Sequence, residues 1–240
     1  MLNEMGVIPT RMFPLGVGHG APLPYDAEVE YLEAAPTAAD TGPFINTLIV
    51  PSTTARAEID WTPFKYATSA EPYGFGVAGF NPGSGANTRF VAGLTSQSSP
   101  TLYWGVSNLN IYNSVQWSSG NRLTQFIQLN GTTATYGYET TSYQTSISLY
   151  NNTTSPILLF ARAAGYPAWH AEMKANSKSR IYSCKIWQTY ADGVSRDFIP
   201  VRVGTTGYLY DRANPTGGPN GNGLYGNAGT GSFTLGPDKT

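Results

Sequence analysis

The sequence predicts an all-β fold, a two-sheet antiparallel sandwich entered through an irregular N-terminal arm. Short runs in which every second residue is apolar recur along the chain, the period of a strand with one buried face. They come at roughly 8–12-residue spacing and are separated by Gly, Pro, Asn and Ser clusters, as in sandwiches and barrels. The one stretch with helical character, 168–175, suffices for a single turn. A chain of 240 residues fits one such domain. At that length it buries about 70% or more of the surface its unfolded form exposes.

Residues 1–25 make up the arm. Pro9, Pro14, Pro22 and Pro24, with Gly6, Gly16, Gly18 and Gly20, leave no helical or strand period intact. The segment nevertheless carries more apolar residues than a solvated linker, so Ile8, Met12, Phe13 and Leu15 are read as anchors that order against a partner chain. Gly16-Val17-Gly18-His19-Gly20 lacks the Lys-Ser/Thr and the following helix of a phosphate loop.

The sandwich occupies 26–240. Strands are expected at 28–33, 44–50, 55–64, 73–80, 88–95, 101–106, 110–117, 121–130, 133–139, 146–150 and 157–163. Asn130-Gly131, between two alternating runs, is the clearest hairpin signal. A closing unit follows. Its first strand, 180–187, has Tyr182, Cys184 and Ile186 on its apolar parity. Asp192-Gly193 supplies a turn, 196–203 is the second strand and 207–211 the third. The Gly/Asn/Pro-rich stretch 214–223 reads as a long loop, and loops at sandwich ends often carry binding.

The closing unit resembles the C-terminal signature of laminin-G-like, concanavalin A-like jelly-roll modules of gut bacteria and their bacteriophages. The matching pieces are Ile181-Tyr182-Ser183-Cys184-Lys185-Ile186, Arg196-Asp197-Phe198-Ile199-Pro200-Val201, Gly207-Tyr208-Leu209-Tyr210-Asp211 and 225–231. Glu30-Tyr31-Leu32-Glu33 and 41–60 resemble the opening strands of the same modules. The resemblance implies a jelly-roll sandwich that binds rather than catalyses. Many laminin-G-like modules hold calcium. In this chain the oxygen ligands would be Asp192, Asp197, Asp211 and Asn214, at no recognisable metal-loop spacing, so neither a metal nor another cofactor is expected.

Composition narrows the function. Charged residues are 12% of the chain and the net charge is −1. With no run of like charges, neither nucleic acid nor an anionic membrane is an expected partner. No apolar run reaches the roughly 20 residues of a membrane span. The N-terminus has no basic start and no continuous apolar core, so it is not read as a secretory signal. A module of this kind without an export signal is expected to reach the surface on a virion. The single cysteine, Cys184, rules out an intrachain disulfide and is read as a small core residue.

Aromatics are 13% of the chain, and aromatic faces stack on sugar C–H faces. Tyr103, Trp104, Tyr112, Trp117, Tyr136 and Tyr138, in the middle third, are the candidate glycan-binding residues. Glu58 and Asp60 project from one strand face, as paired carboxylates of a glycosidase can, but Trp61-Thr62-Pro63 follows where a third acid would stand. Glu28 and Glu30 show the same spacing. No catalytic residue is therefore assigned. The function read from the sequence is a non-catalytic binding module on a phage virion or bacterial surface, recognising a glycan or host-surface ligand. It would attach to other virion or surface chains through the arm and act as an oligomer. A purely structural cement or decoration protein is the alternative, and a glycoside hydrolase the more distant one.

Overall fold

The computed structural model describes residues 22–65, 72–81, 86–95, 101–118, 120–150, 154–165, 170–173 and 177–240. The strands β1 (Ala27–Glu28), β2 (Leu32–Ala34) and β3 (Ile45–Asn46) are short, and β4 (Arg56–Lys65) is the first long one. The strands β5 (Tyr73–Asn81), β6 (Ala86–Leu94), β7 (Thr101–Ser107) and β8 (Leu109–Gln116) form one meander. Another is built by β9 (Leu123–Asn130), β10 (Thr133–Tyr138) and β11 (Thr141–Ser146). After β12 (Leu158–Leu159), β13 (Arg162–Ala164) and β14 (His170–Glu172) comes the closing unit of β15 (Ser177–Trp187), β16 (Arg196–Val203) and β17 (Thr206–Asp211). Finally β18 (Leu224–Tyr225) and β19 (Thr234–Leu235) finish the chain. Among the described residues the helical structure is one 3-10 turn, Tyr190–Asp192.

The chain is an all-β, two-sheet sandwich. The larger sheet runs β11-β10-β9-β4-β15-β16-β17-β18, the smaller β14-β13-β5-β6-β7-β8. The early strand β4 thus sits between strands of the middle and last thirds, which is the interlocked order of a jelly roll. Among the described residues pairing is antiparallel except between β13 and β5, which run parallel. Alternation places Ala57, Ile59 and Trp61 of β4 inward, against Phe75, Val77, Phe90 and Trp104 of the smaller sheet, all with no exposed surface. Each large buried side chain contributes roughly 1.5–3 kcal/mol. Pro63 is tolerated inside β4 because its missing N–H would face the side where β9 has ended, opposite Trp61, and where only its carbonyl is used, accepting from Gly120 N–H at 2.8 Å.

The closing unit departs from the predicted parity. The register between β15 and β4 shifts between Ile181 and Ser183, a bulge with Tyr182 as the extra residue. Ser177, Ser179 and Ile181 therefore face inward before the bulge, and Cys184 and Ile186 after it. Tyr182 points out, with the Thr62 hydroxyl donating to its oxygen at 3.2 Å and the Arg122 guanidinium 3.8 Å above its ring. Cys184 is in the core, where burial pushes its thiol far above the ordinary range. It is expected to ignore an aromatic disulfide reagent at mildly alkaline pH and to react fully in guanidinium; rapid reaction of the native protein would mean that β15 opens.

Other elements also differ from expectation. The stretch 168–175 is not a helical turn where it is described: His170–Glu172 is a strand pinned to β13 by Arg162 and Glu172. The predicted strand 146–150 is irregular beyond Ser146, and the pairing strand is β11, joined to β10 by a tight turn in which Glu139 has φ 48°. Predicted strand 44–50 breaks at Leu48 (φ 60°) and 157–163 at Phe160 (φ 68°), both left-handed residues that no alternation pattern reveals. The β9–β10 loop is Gly131-Thr132, one residue later than predicted, with Gly131 at φ 63°.

Candidate functional site

The residues with binding chemistry meet on the outer face of the smaller sheet. Tyr103 and Tyr112 are cross-strand partners on β7 and β8, and their rings stack at 5.5 Å and 28°. The Tyr103 hydroxyl donates to Asn110 Oδ1 at 2.8 Å, which fixes the inner ring as a backing plate. Tyr112, above it, is 55% exposed. These rings, with Arg89, Thr95, Asn110 and Arg162, line a cleft of about 250 Å³.

The sheet makes room for this cleft by removing side chains. A Cβ at Gly105 would lie 2.8 Å from the Tyr103 hydroxyl and 3.0 Å from Arg89 Cβ; one at Gly76 would lie 2.6 Å from Arg162 Cβ. Without those atoms, the long side chains lie across the sheet instead of standing off it. Arg162 is held from two sides. Its guanidinium sits 5.0 Å over the Tyr73 ring and donates to Glu172 through Nε at 3.1 Å and Nη2 at 2.8 and 2.9 Å. Beneath, Tyr73, Val91 and Tyr103 form a small apolar cluster of their own.

Two of the six candidate aromatics, Tyr103 and Tyr112, belong to this cleft. Trp104 does not, and is corrected to a core residue: it follows Tyr103 on the strand, so its ring points between the sheets with no exposed surface. Its ring centroid lies 5.4 Å from that of Tyr136 and 6.4 Å from that of Tyr138. Trp117, Tyr136 and Tyr138 are half-buried against the core at the open edge of the sandwich, where Trp117 meets Tyr138 edge-on at 6.0 Å. Tyr136 also stacks on Tyr143 at 5.6 Å, and burial, aided by Tyr143, pushes its hydroxyl above the ordinary phenol range. These rings support one another more than they present a free face. The arm residues Ile8, Met12, Phe13 and Leu15 lie outside the described residues. Tyr25, at the arm's end, packs on Tyr210 at 5.0 Å.

The acids are committed elsewhere. Glu58 pairs with Arg56 at 2.8 Å, and Asp60 takes both arms of Arg122 at 2.8 and 2.6 Å. Of the calcium candidates, Asp197 pairs with Arg212 and the buried Asp211 lies 3.5 Å from Arg196 Nε. Asp192 is exposed in the 3-10 turn. Among the described residues no three His, Cys, Asp or Glu side chains gather as a metal site needs. Sequence reasoning missed Arg89, Thr95, Asn110 and Arg162. The signal that could have found them is Tyr103-x-Gly105, an aromatic and a bare position on one strand face.

No protein-family model matches the chain, and no curated protein matches it. Among solved structures it is similar to the native heptameric SAP-like pentraxin from Limulus polyphemus, at 10% identity and a TM-score of 0.45, over 68% of this chain and 79% of that one. It is also similar to Scytalido-glutamic peptidase solved with a peptide-based transition-state analogue, at 7% identity and a TM-score of 0.24, over 79% of this chain and 82% of that one. These likenesses assign no residue a role.

Proposed function

We propose that the chain is a non-catalytic module that binds a saccharide in the cleft over β7 and β8, displayed on a phage virion or bacterial surface. The observation that carries the reading is Tyr112: an exposed ring stacked on a second ring that is itself hydrogen-bonded in place, with amide, hydroxyl and guanidinium groups around it. A flat apolar face bordered by donors and acceptors matches a pyranose, which has one apolar face and a polar rim. The surface setting is supported by the resemblance of the closing unit to phage and gut-bacterial modules, and the arm up to residue 25 is the proposed attachment segment. The absence of catalysis is supported by Glu58 and Asp60, the acids at glycosidase-like spacing, each being engaged by an arginine.

A glycan array probed with the intact protein is the test. One sugar class should bind reproducibly, and Tyr112→Ala should weaken it by about tenfold or more, the loss of one stacked ring. Silence across the array, with attachment to particles that depends on residues 1–25, would replace this reading with a structural cement protein. Release of reducing ends from a bound polysaccharide, abolished by Asp60→Asn, would overturn the non-catalytic part.

A further inference from the structure

We infer that the saccharide held in this cleft is acidic, its ring lying on Tyr112 and its one anionic group, a carboxylate or a sulfate, held by Arg89; this rests on the glycan-binding reading. The two arginines of the cleft differ in what they already hold. Arg162 is matched by Glu172 through three hydrogen bonds and is backed by Tyr73, so its charge is answered within the protein. Arg89 is only partly exposed, and among the described residues its side chain makes no ion pair or hydrogen bond. By contrast Arg56, Arg122, Arg196 and Arg212 each face a carboxylate, as Arg162 does.

Placement makes this more than a surface charge. Arg89 lies opposite Ser107 on β7, and Gly105, two residues before it, lies opposite Asn110 on β8. Arg89 Cβ and Cδ come within 3.0 and 3.1 Å of where a Gly105 Cβ would stand, and the Tyr103 hydroxyl within 2.8 Å. The stem of Arg89 is therefore laid across the bare backbone towards the tyrosine pair. A guanidinium offers a planar fork that fits two oxygens of a carboxylate or sulfate. A ligand with only hydroxyls would partly desolvate that cation without neutralising it, which disfavours neutral sugars.

The experiment takes each acidic glycan that binds on the array and titrates it calorimetrically beside its neutral counterpart, the methyl ester of a carboxylate or the desulfated form of a sulfate. The acidic form should bind about ten- to a hundredfold more tightly, the range of a charge-assisted hydrogen bond. Arg89→Ala should erase that difference, Arg89→Lys should keep part of it, and Tyr112→Ala should weaken both forms in parallel. Gly105→Ala, whose Cβ would press on both the Tyr103 hydroxyl and the Arg89 stem, should weaken both forms. The pair that shows the difference identifies the anionic group. Equal binding of acidic and neutral forms, unchanged by Arg89→Ala but lost in Tyr112→Ala, would overturn the acidic ligand and leave the glycan reading in place. No binding of any saccharide by the wild type would overturn both.

Discussion

Replacing Asp211 by alanine should destabilise the protein by about 3 kcal/mol or more, the cost of removing one partner from a buried ion pair. Asp211 ends β17 with no exposed surface. Its Oδ1 accepts the N–H groups of Asp197 and Ala213, each at 3.0 Å. Its Oδ2 lies 3.5 Å from Arg196 Nε, close enough for charge attraction and too long for a hydrogen bond. Arg196 in turn donates to the Ser195 carbonyl at 2.7 Å and lies 5.6 Å over the Tyr225 ring. Alanine would leave two N–H groups unsatisfied and Arg196 uncompensated, all at the joint between β16 and β17. Urea unfolding at constant ionic strength measures the loss. Asp211→Asn, which keeps an acceptor at Oδ1, should lose less. Asp211 is also one of the calcium candidates. Because its partners are two N–H groups and an arginine, a chelator should leave the wild-type midpoint unchanged; a large drop would make the site a metal site after all.

Trp104→Ala should cost about 3–5 kcal/mol, the range for emptying a buried large aromatic site. Cavity formation adds to the lost transfer energy because Tyr136 and Tyr138 lean on the indole from the opposite sheet, and their backbones are held in β10 between β9 and β11. Among the described residues Trp104 Nε1 has no hydrogen-bond partner. Trp104→Phe removes that desolvated N–H along with some volume, so it should be far milder than alanine. It should also leave saccharide binding unchanged, because the ring points away from the Tyr103–Tyr112 pair. A Trp104→Phe variant that folds normally yet loses the ligand would place the binding site between the sheets.

How far the sequence carries the fold follows from what alternation can record. The predicted limits of β4, β5, β16 and β17 lie within two residues of the structure. The bulge at Tyr182 is invisible in the sequence because one inserted residue exchanges the two faces without altering composition. Leu48 and Phe160 break strands through left-handed backbone that their side chains do not advertise. The site is only half legible for related reasons. Tyr103 and Trp104 are adjacent aromatics, so period two says that one faces in and one out, but not which. Packing against the larger sheet, where Tyr136 and Tyr138 meet Trp104, decides it, and the pairing of β6 with β7 and of β7 with β8 brings Arg89 and Asn110 beside the tyrosines. A lone arginine in a strand carries no such information until its neighbours are known.

The most direct measurement is a backbone and aromatic NMR shift map of the intact protein titrated with the saccharide it binds. The expected perturbations fall on Thr95, Tyr103, Asn110 and Tyr112, with ligand ring protons giving contacts to the Tyr112 ring. Perturbations centred instead on Trp117, Tyr136, Tyr138 and Tyr143, with Tyr112 unmoved, would contradict binding at the tyrosine pair and move the binding surface to the open edge of the sandwich.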